Sequence, residues 1–287
     1  MSLFPIYREY YKQAQSNYNK RIDMKTLYNF EYLVIKPNTV DFNKFFDNVD
    51  FNSYTQMISN IYKTYINHVP QMRGLFPGNL GIELKMPFNQ QICNISNKLC
   101  DMLIPSIEKN IYNSYVFVDF VKYYRTNVNK SSTVKEVSSL LWHHDHHCSE
   151  QLKMMIYFTD VGPEDGPFEI LRRTDNKRAF KVENYRHDIN SWPQHGVKDP
   201  PMFNGGINNR IPNEWIDNKI SEGYERYKIT GEPGTIILFD NNIIHKANIA
   251  RNHYRDVVNI EMKPSLSKQT KYYNNNDNNG KHWQKWI

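Results

Sequence analysis

WHHDHH, residues 142–147, is the stretch on which the reading turns. It closes the run SSLLWHHD (138–145), which reads as a strand. Alternate side chains of a strand share a face. His143 and Asp145 then point one way, and His144 and His146 the other. An imidazole and a carboxylate two residues apart can take adjacent corners of a metal octahedron.

A third ligand must come from a distant strand, and His245 is the best placed. It follows the apolar strand TIILF in GEPGTIILFDNNIIHKAN, about a hundred residues downstream of His143. Two histidines and one carboxylate leave three positions of the metal open, the arrangement of non-haem Fe(II) oxygenases. Ten residues beyond His245, Arg255 opens the strand RDVVNIEM, where its guanidinium can pair with a carboxylate through two parallel hydrogen bonds. Arg251 is close enough to compete for that role. Arg255 is preferred because a strand fixes its direction. Tyr124 and Lys122, on the strand before WHHD, are candidates to face the same pocket, and alternation alone does not choose between them.

Outward from this stretch, the chain divides by pattern. FEYLVIKP (30–37) reads as a strand stopped by its proline. Residues 51–66 place Phe51, Tyr54, Met57, Ile58, Ile61, Tyr62, Tyr65 and Ile66 on a helical stripe. Residues 89–103 repeat the stripe with Ile92, Ile95, Leu99 and Leu103 until Pro105 interrupts it. From about residue 113 the chain turns β-like, with strands at 115–124, 138–145, 153–161, 166–171, 224–229, 235–239 and 255–262. A long irregular stretch, 172–222, holds Pro193, Pro200, Pro201, Gly205, Gly206 and Pro212, and a loop of that length is usually functional. Arg172, Arg173, Lys177 and Arg178 at its start read as solvated or as an anion-binding rim. The organisation expected is one domain over 1–270, with a helical part (1–112) packed on a β core (113–265), followed by an Asn-rich tail (271–287) whose Trp283 and Trp286 dock back onto the body.

Composition narrows the class. The net charge of +6 comes from 36 basic and 30 acidic residues that are interspersed. No basic arm for nucleic acid stands out, and only a weak preference for anionic small molecules follows. Three cysteines (Cys93, Cys100 and Cys148) fit no disulfide framework. With no apolar signal core and no membrane-spanning run, the expectation is a cytoplasmic protein without a membrane partner. Cys148 reads as a space-filler, and His144, His146 and His147 as structural groups or supports for the ligands. There is no HExxH pair for zinc hydrolysis, no P-loop and no GxGxxG.

WHHD, then TDVGPEDGPFEIL, then GEPGTIILFDNNIIHKANIARNHYR resembles the phytanoyl-CoA dioxygenase-like family of 2-oxoglutarate oxygenases. The resemblance covers roughly residues 138–262 and is carried by Trp142, His143, Asp145, Thr159, Asp160, Gly166, Pro167, Gly234, His245, Asn248 and Arg255. It implies a mainly β fold with flanking helices, built on a double-stranded β-helix of the jelly-roll or cupin type. It implies Fe(II) on His143, Asp145 and His245, with 2-oxoglutarate as co-substrate on Arg255 and O2 as oxidant; Tyr124, from its place on the preceding strand, is a candidate further contact for the co-substrate. The reaction implied is hydroxylation of a small-molecule substrate, with release of succinate and CO2. Departures are ILRRTDN (170–176), where relatives often carry Pro-Gly-Ser-His, and Ala247, where relatives often carry a hydroxyl that assists the arginine. The alternatives are an oxygenase acting on a protein or nucleic acid, and a β-helix that binds metal or ligand without catalysis. Oligomeric state is not legible in the sequence.

Overall fold

The computed structural model describes residues 12–14, 16, 30–74, 80–84, 90–134, 136–145, 151–182 and 210–269. His146, His147 and Cys148, residues 183–209 of the long loop, and the tail with Trp283 and Trp286 lie outside the described residues.

The described residues form ten strands: β1 (Tyr32–Ile35), β2 (Arg73–Gly74), β3 (Gly81–Glu83), β4 (Tyr115–Thr126), β5 (Leu152–Tyr157), β6 (Phe168–Arg173), β7 (Tyr224–Ile229), β8 (Ile236–Asp240), β9 (His245–Ala247) and β10 (Arg255–Ser265). They form a larger sheet in the order β1-β8-β5-β10-β4-β3-β2 and a smaller one in the order β7-β6-β9, with all pairings antiparallel. From β4 to β10 the chain passes repeatedly between the two sheets, as two facing sheets of a jelly roll require. The fold is a double-stranded β-helix backed by helices.

Period-two alternation sorts the side chains of the larger sheet. Leu152, Met154 and Ile156 of β5, Ile236 and Leu238 of β8, and Val258, Ile260 and Met262 of β10 share one apolar cluster with the helices. Met155, Tyr157, Ile237, Phe239 and Val257 face the other way and pack with Phe168, Ile170 and Ile229 of the smaller sheet. A third cluster, around Trp142, Leu171, Trp215, Ile216 and Ile244, completes the apolar packing.

Three helices matter most here: α1 (Val40–Phe45), α2 (Phe51–Ile66) and α3 (Gln90–Ile107). Asp50 starts α2 by accepting a hydrogen bond from Ser53 N at 2.7 Å. The helix then buries Tyr54, Ile58, Ile61 and Tyr65, residues of the stripe read from the sequence. Tyr54 also donates to the carbonyl of Gly234 at 2.6 Å, tying α2 to the turn before β8. Gly234 adopts φ +91°, and a Cβ there would stand 3.2 Å from the Tyr54 ring, so the turn favours glycine on both counts.

Three expectations are corrected. Residues 138–145 are not one strand: Ser138–Leu140 is a 3-10 turn entered through Ser138 at φ +53°, and only the segment after it is extended. Pro105 does not end α3; the helix runs through it to Ile107 and then widens into a π turn, Glu108–Tyr112. The stretch 172–222 is not irregular throughout, since α4 (Asn213–Ser221) follows Pro212 and buries Trp215 and Ile216. The prolines masked that short apolar pattern.

Replacing Tyr54 by Phe leaves the buried Gly234 carbonyl without its donor. The loss expected is about 1–3 kcal/mol, read as a lower midpoint in urea denaturation with unchanged slope. An unchanged midpoint would mean that the hydrogen bond does not hold the helix to the sheet.

Candidate metal centre and its cavity

The extended segment 141–145 and β9 lie side by side. His143 and His245 exchange backbone hydrogen bonds, N to O in both directions at 2.9 Å, as a directly opposed antiparallel pair. Opposed residues project to the same side, which brings the two imidazole centroids to 4.3 Å. The backbone of Asp145 is held by Asn241 O at 2.8 Å. Its carboxylate comes to 3.7 Å from His143 Nε2 through Oδ1, and to 3.6 Å from His245 Nε2 through Oδ2. The structure thus brings together three residues that are separate in sequence, with one ligand atom of each within 4.8 Å of the others.

The ring nitrogens are not equivalent. His143 Nδ1 lies 2.7 Å from the Leu141 carbonyl, and His245 Nδ1 lies 2.8 Å from the Ile243 carbonyl. A carbonyl only accepts, so each Nδ1 carries the proton and each Nε2 offers a lone pair to the shared space. Burial pushes both imidazoles below their ordinary pKa; His245 adds to this at His143, and Asp145 opposes it at both. Both rings are therefore neutral near pH 7. Two neutral imidazoles oriented by backbone carbonyls, with one carboxylate, suit a divalent transition ion with positions left open.

The three side chains border a cavity of about 340 Å³. Its inner wall follows the strand register: Lys122 lies opposite Asn259, Tyr124 opposite Val257, and Thr126 opposite Arg255. Both Lys122 and Tyr124 face the cavity, which answers the question alternation left open. Phe168 and Phe239 pack 5.2 and 5.4 Å from the His245 ring and make that side of the cavity apolar.

Arg255 is only 1% exposed. Its Nη2 donates to Thr126 Oγ1 at 3.2 Å, while Nε and Nη1 meet no acceptor among the described residues; the charge also acts on the buried Tyr157 phenol, opposing the rise that burial gives its pKa. The adjacent Asp256 points to the opposite face, where Arg125 binds it at 2.7 and 2.6 Å. Arg255 is thus a buried cation without a carboxylate partner among the described residues. Such a group is unfavourable unless a ligand pairs it. Arg251 does not compete, because it donates to the carbonyls of Asn129 and Ser131 at 2.8 and 2.6 Å. Thr126 supplies the hydroxyl that Ala247 lacks. Burial raises the Tyr124 phenol's pKa, and the Arg255 charge opposes the rise.

Other residues of the motif support the architecture. Gly166, at φ +70°, allows the backbone of Asn248 and Ala250 to approach; a Cβ there would meet Asn248 O at 2.8 Å. Asn248 Nδ2 donates to Pro167 O and to Glu169. The basic patch after β6 does not line the cavity. Arg172 and Lys177 share Glu225, Arg173 pairs with Asp175 and Arg178 with Glu31, so each of these cations has a carboxylate neighbour away from the cavity. Sequence reasoning missed Lys153, whose Nζ lies 2.5 Å from Asp145 Oδ2. Burial opposes its charge, but Asp145 and Glu261 more than offset that and raise its pKa.

Comparison with protein-family models and with curated proteins returns no match. Among solved structures, the chain is similar to EctD from S. alaskensis with bound Fe, at 13% identity and a TM-score of 0.50, over 86% of this chain and 79% of that one. It is also similar to the epimerase SnoN in complex with Fe3+, alpha ketoglutarate and nogalamycin RO, at 11% identity and a TM-score of 0.50, over 89% and 84% of the two chains. At these identities the likeness is one of fold. Among the described residues, no helix is long and apolar enough to cross a membrane.

If the three side chains form one metal site, His143→Ala and His245→Ala each weaken Co(II) binding by more than about 100-fold, beyond the loss typical of a supporting residue. Co(II) absorbance titration of protein with unchanged circular dichroism measures it. Binding at the affinity of the unaltered protein in both variants would place the metal elsewhere.

Proposed function

We propose that the chain is a non-haem Fe(II)/2-oxoglutarate-dependent dioxygenase that hydroxylates an aliphatic carbon of a small anionic substrate, releasing succinate and CO2. The observation that carries this reading is the meeting, in one cavity, of the His143–Asp145–His245 set and the unpaired Arg255 guanidinium. A neutral-imidazole and carboxylate set suits Fe(II), and a buried arginine with two free donors suits the far carboxylate of a dicarboxylic keto acid. The similar folds solved with Fe, and with Fe3+ and alpha ketoglutarate, support the same cofactor pair.

Bound iron with 2-oxoglutarate and O2 supplies the oxidising chemistry. The chain supplies position and environment. His143 and His245 present Nε2, and Asp145 brings the negative charge of the set. Arg255, steadied by Thr126 and flanked by Tyr124, orients the co-substrate. Phe168 and Phe239 exclude water beside His245. Asp145 favours hydroxylation over halogenation, because its carboxylate takes the position a halide would need. Lys122 faces the cavity without a carboxylate partner among the described residues, its Nζ 4.5 Å from the Phe120 ring centroid, and it is the group we assign to the substrate's anion.

Succinate formation from 2-oxoglutarate under air, with Fe(II) and ascorbate, tests the assignment. Turnover disappears in His143→Ala. In Arg255→Gln it returns only at 2-oxoglutarate concentrations about 10- to 100-fold higher, as expected when a charged hydrogen bond of roughly 1.5–3 kcal/mol is lost. No succinate from the unaltered protein, with no 2-oxoglutarate binding to its iron form, would leave a metal-binding scaffold as the reading.

A further inference from the structure

The inner face of the larger sheet carries a line of charge that the assignments above do not use. On β5, Lys153 stands opposite Glu261 of β10 on one side and Phe239 of β8 on the other. Its Nζ lies 2.5 Å from Asp145 Oδ2 and 3.7 Å from Glu261 Oε2. Glu261 is in turn gripped through Oε1 by the side-chain amide of Gln151, and it is only 3% exposed. A brace therefore runs Gln151–Glu261–Lys153–Asp145. It links the carboxylate of the candidate metal set to central strands of the larger sheet.

The orientation of the Asp145 carboxylate matters because both of its oxygens face the set, Oδ1 at 3.7 Å from His143 Nε2 and Oδ2 at 3.6 Å from His245 Nε2. The segment that carries it pairs with β9 at His143, and one hydrogen bond to Asn241 fixes its own N–H. A carboxylate so placed can rotate and offer one oxygen or both. An ammonium held against Oδ2 restricts that rotation and competes with a metal for Oδ2, which favours attachment through Oδ1, on the His143 side. One-oxygen attachment uses one corner of the octahedron, whereas two-oxygen attachment would consume a position the co-substrate or O2 needs. The brace acts against a real penalty, because a cation this close to a divalent ion repels it.

We infer that Lys153 is a positioning residue that locks Asp145 into one-oxygen attachment through Oδ1 and thereby sets the affinity and geometry of the metal. This rests on the reading of His143, Asp145 and His245 as the metal set. Lys263 provides an internal control. On β10 like Glu261, it forms a similarly buried pair with Asp119 of β4 at 2.5 Å, and among the described residues it makes no ion pair with His143, Asp145 or His245.

The test is Co(II) titration of the whole chain, with the ligand-field spectrum recorded and thermal stability measured in parallel. Lys153→Met is expected to bind Co(II) about 10- to 100-fold more weakly, the loss typical when a ligand's supporting partner is removed, and to show an altered ligand-field spectrum. Lys263→Met is expected to lose stability but keep the affinity and spectrum of the unaltered protein. Should Lys153→Met fail to fold, Glu261→Gln, which keeps the lysine but removes its second partner, is expected to show a smaller loss of affinity in the same direction. Unchanged or tighter Co(II) binding in a folded Lys153→Met, or equal losses in the Lys153 and Lys263 variants, would overturn the inference while leaving the metal set intact. No Co(II) binding by the unaltered protein would remove the metal set itself, and the inference with it.

Discussion

Two backbone hydrogen bonds, exchanged between His143 and His245, hold the centre of this structure. They extend the smaller sheet beyond β9 and bring together residues about a hundred positions apart in the chain. Because opposed residues of an antiparallel pair project to the same side, the same two bonds bring both imidazoles to one point. The carbonyls of Leu141 and Ile243 then set the ring orientation from within each segment. Position and orientation both derive from local backbone geometry.

The second organising constraint is electrostatic. Most described charges near the β core are matched: Arg125 with Asp256, Lys181 with Asp240, Lys246 with Glu136, and Lys263 with Asp119. Against that background, Arg255 is conspicuous because its Nε and Nη1 have no acceptor among the described residues. A buried, unpaired guanidinium opposes folding unless a ligand completes it. The cavity that contains it also contains the triad, so the unmet charge and the candidate metal set belong to one site. The alternation of β10 produces this arrangement: Arg255 and Asp256 are neighbours in sequence, yet they face opposite sides of the sheet and never pair.

Much of this was legible in the residues. The spacing of His143 and Asp145 needed only an extended backbone between them, which the segment has even though it is not a regular strand. The stripe Tyr54–Ile58–Ile61–Tyr65 was legible because helical period and burial agree. Other features were hidden for identifiable reasons. Helix α4 was concealed by a proline-rich context in which only Trp215 and Ile216 mark a buried face. The support that Thr126 gives Arg255 depends on cross-strand register, which no local pattern encodes. Lys153 reads as the polar first residue of the apolar strand 153–161 until the sheets close and place it against Asp145. The basic residues after β6 suggested an anion site, but their acidic partners come from 31, 175 and 225. Of these, only Asp175 is close in sequence.

The most direct measurement is the visible absorption of the Fe(II)-reconstituted protein titrated anaerobically with 2-oxoglutarate, with glutarate, which lacks the keto group, as the comparison. The account predicts a saturable charge-transfer band with 2-oxoglutarate and none with glutarate. On the proposed reading, Arg255 would hold the far carboxylate and the keto-acid end would be left for the iron, a contact that glutarate could not make. No band at any concentration, in protein shown to retain its iron, would contradict the central claim that the triad and Arg255 form one co-substrate site.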